Sequence, residues 1–229
     1  MRTAHHTPRA STRPSSKQTV IAAGAHALQL ATASGLLRCA VPAALGGCGT
    51  LEDLARGATE LANRSRAAAW VLWAQRSAIE ALVQSSNIAV REHLLPDLLA
   101  GELAGALPLS LDARPVIAEE VAGAYLLYGV LDPVPNLQWS GFSLVAPIRR
   151  AAHPLEWAVL RGEEDGLRVG IDHEGDTWWG SRAAAVTLNG TFFRMDEWIG
   201  GSELLDAMQP VLKTLEASLQ AAGLAEAFR

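Results

Sequence analysis

The sequence predicts an α+β fold: an N-terminal helical domain, a middle antiparallel β-barrel or sandwich domain, and one or two C-terminal helices. Three observations predict it. Apolar residues recur at helical spacing from Gln18 to Gly101. From Leu103 to Phe193 the runs become short, alternating or continuously apolar, with Gly, Pro and Asp between them. From Ser202 the helical period returns. The implied divisions are a tail at 1–17, a helical domain at 18–101, a β-domain at 102–201 and a further helical segment at 202–229.

The tail carries Arg2, Arg9, Arg13 and Lys17 without an acid and has no apolar stretch to bury, so it reads as disordered. The first helix starts near Gln18, with Ile21, Leu28 and Leu30 in period; Gly35 weakens its end before Leu36 and Leu37. A turn-rich stretch follows from Val41 to Gly49. Thr50 with Asp53 three residues later fits a capping box for a helix whose apolar face is Leu51, Leu54, Ala58 and Leu61. Ser65 caps the next helix, largely apolar through Ala69, Leu72, Trp73, Ile79, Leu82 and Val83, so burial on more than one side is expected. A short helix at Glu92–Leu99 ends at Gly101.

Beyond it, strands are expected at Leu103–Leu111, Arg114–Val121, Tyr125–Leu131, Trp139–Ile148, Leu155–Arg161, Leu167–Ile171 and Ala183–Phe193, with a hairpin at Ala122-Gly123-Ala124. The last segment presents Leu204, Met208, Val211, Leu212, Leu215 and Leu219 as one stripe, and Pro210 should kink it or start a new helix. The stripe must pack on the preceding domains, a second copy or another chain.

Composition narrows function by exclusion. A net charge of −5 leaves no general basic field for nucleic acid. Charged residues interrupt every apolar run before it reaches membrane-spanning length. Cys39 and Cys48 read as two reduced thiols of a cytoplasmic protein in preference to the alternative, one intramolecular pair. Asp172-His173-Glu174-Gly175-Asp176 does not match a calcium loop and reads as a solvated turn, so no metal is expected. Trp178-Trp179 reads either as a stacking platform or as one core ring and one surface ring.

Five stretches in order resemble the acyl-CoA dehydrogenase family. Val41-Pro42 through Gly46-Gly47 resembles its VPEEYGG segment. Gly101-Glu102-Leu103-Ala104-Gly105-Ala106 resembles GELIGA, and Val121-Ala122-Gly123-Ala124-Tyr125 resembles VDGGY. Gly166-Leu167-Arg168-Val169-Gly170 resembles GLSVG; Ala221-Ala222-Gly223-Leu224-Ala225 resembles ALGIA of the family's first C-terminal helix. The resemblance implies a flavoprotein oxidoreductase that uses FAD to oxidise an acyl-CoA or a similar small molecule. It also implies a third, helical domain that this chain barely enters. A homo-oligomer, or a hetero-oligomer with a chain supplying that bundle, is then expected. Where the family has TEPGAGSD, this chain has Ser110-Leu111-Asp112-Ala113-Arg114-Pro115; where it has WITNA, this chain has Pro133-Val134-Pro135-Asn136-Leu137. Ser110, Val134, Pro135 and Asn136 are therefore the expected cofactor-binding residues. The glycines that let backbone approach a ligand are missing, Pro135 brings no N–H, and no residue matches the family's catalytic glutamate. Two other readings stand beside the dehydrogenase: a non-catalytic scaffold subunit of the same descent, and a flavin-dependent monooxygenase of the same architecture.

Overall fold

The computed structural model describes residues 16–111, 115–151, 153–175 and 178–224. The expected tail lies outside the described residues up to position 15, while Ser16 and Lys17 already belong to the first helix, α1 (Ser16–Ala33). Gly35 adopts a left-handed conformation at φ 75°, and Leu36–Arg38 forms a separate 3-10 turn rather than extending α1. Helix α2 (Leu51–Arg64) has the expected capping box, with the Thr50 hydroxyl accepting from the Asp53 N–H and Asp53 accepting from the Thr50 N–H at 2.9 Å. The Thr50 hydroxyl also donates to the Asp53 carboxylate at 2.8 Å, and this bond first, then that from the Thr50 N–H, holds the carboxyl below its ordinary pKa. Ser65 caps α3 (Arg66–Val83) through the Ala68 N–H. Helix α4 (Ile88–Ala100) begins four residues before the expected start, because the Asn87 side chain accepts from the Val90 N–H.

Helix α3 is buried from Ala68 to Leu82 and packs against α1, α2, α4 and the last helix, α5 (Glu203–Ala221). The α5 stripe is covered: Leu204, Met208, Val211, Leu212, Leu215 and Leu219 all join the core with α2 and α3. No second copy or partner is needed to bury it. Pro210 neither breaks α5 nor starts a new helix; it is exposed, where its missing N–H costs least.

Eight strands among the described residues form one sheet: β1 (Ala104–Ala106), β2 (Val116–Val121), β3 (Ala124–Val134), β4 (Phe142–Arg150), β5 (Leu155–Arg161), β6 (Leu167–Asp172), β7 (Ala184–Phe193) and β8 (Trp198–Gly200). The order is β6-β7-β3-β2-β4-β5-β8, with β1 beside β4. The expected α+β class is present; the sheet is mixed and not closed, so it is a barrel or sandwich only loosely and not every pair is antiparallel. Strands β1 and β2 both run parallel to β4, and the edge strands β6 and β8 are not paired with each other. The sheet still curls. Side chains from β1 to β7 converge on one inner cluster around Leu127, Leu144 and Val186, while Val145, Trp157 and Val159 alternate outward onto the helices. The expected hairpin is present: Val121 pairs with Ala124, and Ala122 and Gly123 take φ of 50° and 81°.

The expected strand Leu103–Leu111 stops at Ala106. Proline at 108 has no N–H to give a ladder, and Leu109 instead donates to the Pro133 carbonyl at 3.1 Å. The chain thus leaves the edge of β4 between β1 and β2. The start of this excursion and the exit of β3 are held by a buried amide cluster. Gln75 of α3 donates to the carbonyls of Leu98 and Leu103, each at 2.9 Å, and accepts from the Gly105 N–H at 2.6 Å and the Asn136 amide at 2.8 Å. Asn136 also donates to the Gly105 carbonyl at 2.9 Å and accepts from Gln138, which donates in turn to Gly24 of α1.

Three outcomes test this packing. Leu212→Ala should lower unfolding free energy by about 2–5 kcal/mol in urea titration. Asn136→Gly should cost about 1–3 kcal/mol through orphaned partners; Asn136→Ala should cost roughly 1 kcal/mol more, because a Cβ is disfavoured at the φ of 67° found there. Asp53 has a depressed folded-state pKa, so its contribution is present above the ordinary value of 3.8 and lost as pH falls through the folded value. Asp53→Asn should therefore be less stable than the parent at neutral pH, with the gap closing in thermal melts below that value.

Candidate functional site

The four expected cofactor-binding residues lie on two adjacent segments. The excursion after β1 carries Ser110, and the exit of β3 carries Val134, Pro135 and Asn136; the Leu109–Pro133 hydrogen bond joins the two. Ser110 is exposed, between half-buried Leu109 and Leu111. Pro133 is half-buried, whereas Val134 and Asn136 are fully buried and Pro135 is buried with them. Every polar atom of the Asn136 amide is already engaged within the protein. What the two segments leave at the surface is a small apolar shelf of half-buried Leu109, Leu111 and Pro133, with the Ser110 hydroxyl beside it. The Asp112–Arg114 part of the excursion lies outside the described residues.

Sequence reasoning missed Gln75, the residue that anchors this shelf. Its one signal was a pair of polar residues, Gln75-Arg76, in the middle of an otherwise apolar helix. Arg76 is equally buried, donating to Glu80 at 3.0 Å and to the Cys39 carbonyl at 3.2 Å; burial pulls its pKa down and Glu80 opposes this.

A cleft of about 1040 Å³ opens on the other side of the same loop, and none of the four expected residues lines it. Trp178 forms one wall and is fixed by Trp70 of α3, with ring centroids 4.9 Å apart. Trp179 and Trp139 flank it, 58% and 66% exposed. Thus Trp178-Trp179 splits into one ring turned to the core and one on the surface. Arg182 lies beneath, 7% exposed, donating to the Leu137 carbonyl and paired with Asp172. Its stem fills the place a side chain at Gly24 would need, since a Cβ there would lie 2.2 Å from Arg182 Cγ. His173 Nε2 is 2.6 Å from Asp132 Oδ1. The expected solvated turn is therefore the rim of this cleft; Asp176 lies outside the described residues.

The acids near the C-terminal end have local roles. Glu203 accepts from the Gly201 N–H at 2.9 Å, and its own N–H with that of Gly201 holds its pKa below the usual carboxylate range. Burial pushes the Glu216 carboxyl up, against the pull of Lys213.

No protein-family model matches the sequence, and no curated protein matches it. Solved structures do. PigA with FAD and proline aligns over 96% of this chain and 67% of its own, at 17% identity and a TM-score of 0.69. The acyl-CoA dehydrogenase of Bacillus anthracis complexed with FAD aligns over 93% of this chain and 40% of its own, at 18% identity and a TM-score of 0.71. Butyryl-CoA dehydrogenase from Megasphaera elsdenii aligns over 94% and 68%, at 15% identity and a TM-score of 0.68. The chain thus spans about two thirds of PigA and of the butyryl-CoA dehydrogenase. Its helical layer and curled sheet together have the acyl-CoA dehydrogenase fold.

Proposed function

We propose that this chain serves an acyl-CoA dehydrogenase-like flavoprotein oxidoreductase that binds FAD and acts on an acyl thioester or a related small molecule. Fold alone does not carry a function. The observation that supports the reading is the shelf, which occupies the two segments that the sequence resemblance singled out and brings them together through Leu109 and Pro133. An apolar floor suits the face of a fused aromatic ring, and one rim hydroxyl, Ser110, can donate to or accept from its polar edge. Pro133 and Pro135 have no N–H, so within these two segments the contact to a polar edge falls to Ser110. Val134, Pro135 and Asn136 act from beneath, as positioning residues that keep the floor at one height. FAD, when bound, supplies the hydride-accepting chemistry; the chain's part is to bind it and exclude water from one ring face.

On this reading residues 18–101 and 102–201 are the two layers around the cofactor, and 202–229 begins a third, helical region. The protein works in the cytoplasm as an oligomer. A second reading, a scaffold subunit without turnover, is favoured by the burial of three of the four expected residues. It cannot use the α5 stripe for partnering, because that stripe is buried.

Titrating the purified chain with FAD separates the two readings. Flavin fluorescence should be quenched saturably, and Ser110→Ala should weaken binding by roughly twofold to tenfold, the worth of one hydrogen bond. FAD whose fluorescence and visible spectrum stay unchanged would remove the flavoprotein reading and leave the scaffold.

A further inference from the structure

We infer that the cleft beside the shelf is a second binding site, and that it takes an organic cation: an alkylammonium group carried on an apolar body. The inference does not rest on flavin binding, because none of the proposed cofactor residues lines the cleft.

Three indoles supply the first argument. Trp139 and Trp179 stand open to solvent on the cleft, and Trp178 is held in place by Trp70. Val169 and Ile171 extend the apolar surface, 38% and 91% exposed. Leaving this much large apolar surface in water at one spot is unfavourable unless something covers it. Indole faces attract cations more strongly than other aromatic faces do.

Charge supplies the second argument. Among the described residues, three carboxylates line the cleft, those of Glu163, Asp172 and Glu174, against one guanidinium, that of Arg182. Asp172 is already paired with Arg182. Asp132, behind His173, takes that imidazole. Glu163 and Glu174 are left exposed on the cleft, so the charge offered to a ligand is negative. Arg161 is exposed near Glu163 but does not line the cleft. An anionic ligand would meet net repulsion, and a purely apolar one would leave both carboxylates beside it unpaired. A cation with an apolar body satisfies both features.

Choline and its uncharged carbon isostere, 3,3-dimethylbutan-1-ol, separate charge from shape. Each is titrated into the full chain while tryptophan fluorescence and heat are followed. Choline should bind saturably and about tenfold more tightly than the isostere, which is the scale of a partly desolvated cation–π contact. Trp139→Leu with Trp179→Leu should abolish the preference. Glu163→Gln with Glu174→Gln should weaken choline several-fold and leave the isostere unchanged. All four positions are exposed, so far-ultraviolet circular dichroism should match the parent. Equal affinity for the two probes, no binding of either, or a choline affinity indifferent to both double variants would each overturn the inference.

Discussion

A glutamine in the middle of a buried helix must be satisfied by its surroundings, and Gln75 is. Burying an unpaired amide costs several kcal/mol, so the groups that meet Gln75 are not free to move independently. Its amide contacts the last turn of α4 at Leu98, the approach to β1 at Leu103 and Gly105, and the exit of β3 at Asn136. Glycine at 105 is required for this closeness, because a Cβ there would sit 2.7 Å from that of Ala78. One side chain thereby fixes where the sheet begins against the helices. The excursion that presents Ser110 departs from a fixed point and returns to β2, and the height of the proline shelf follows from the same bonds.

Much of the fold was legible because local chemistry agreed with tertiary packing. The Thr50–Asp53 box, the Ser65 cap and the Ala122-Gly123 hairpin each use a residue type that its position demands, and each is present. What was not legible has physical reasons. The start of α4 was missed because Asn87 caps a first turn, Ile88–Ala89–Val90, that precedes the amphipathic stretch. Strand β8, three residues long, is too short to show a period. The parallel pairing of β1 and β2 with β4 is decided by where the hairpin returns, and alternation within a strand carries no information about its neighbour's direction. Pro108 was the available warning that the first strand would end early.

The site was legible in part, and unevenly. That the 110 and 134–136 segments belong together came from a resemblance between motifs, since nothing in their spacing brings them into contact. Which of those residues reach the surface was invisible to the sequence: a polar residue such as Asn136 reads as a candidate ligand contact, yet its capacity is spent inside the fold. The cleft was harder still. Its tryptophans come from separate loops, and Arg182 hides in a small-residue run where only a left-handed φ of 57° marks it as unusual.

Shelf and cleft share one loop, and the way that loop is held decides whether they can communicate. Its backbone is bonded to the loop opposite, Asn136 to Ser181 and Leu137 to Arg182, at 2.9 and 3.1 Å. Gln138 ties it to α1 through Gly24 and back to Asn136. Coupling between two sites requires an element with two arrangements of similar free energy. This loop has one. Any second arrangement would orphan the buried amides of Gln75, Asn136 and Gln138 together, at a cost on the order of several kcal/mol. The network that fixes the shelf also insulates it, so a ligand in the proposed cleft site would act on it through charge across the loop rather than through shape.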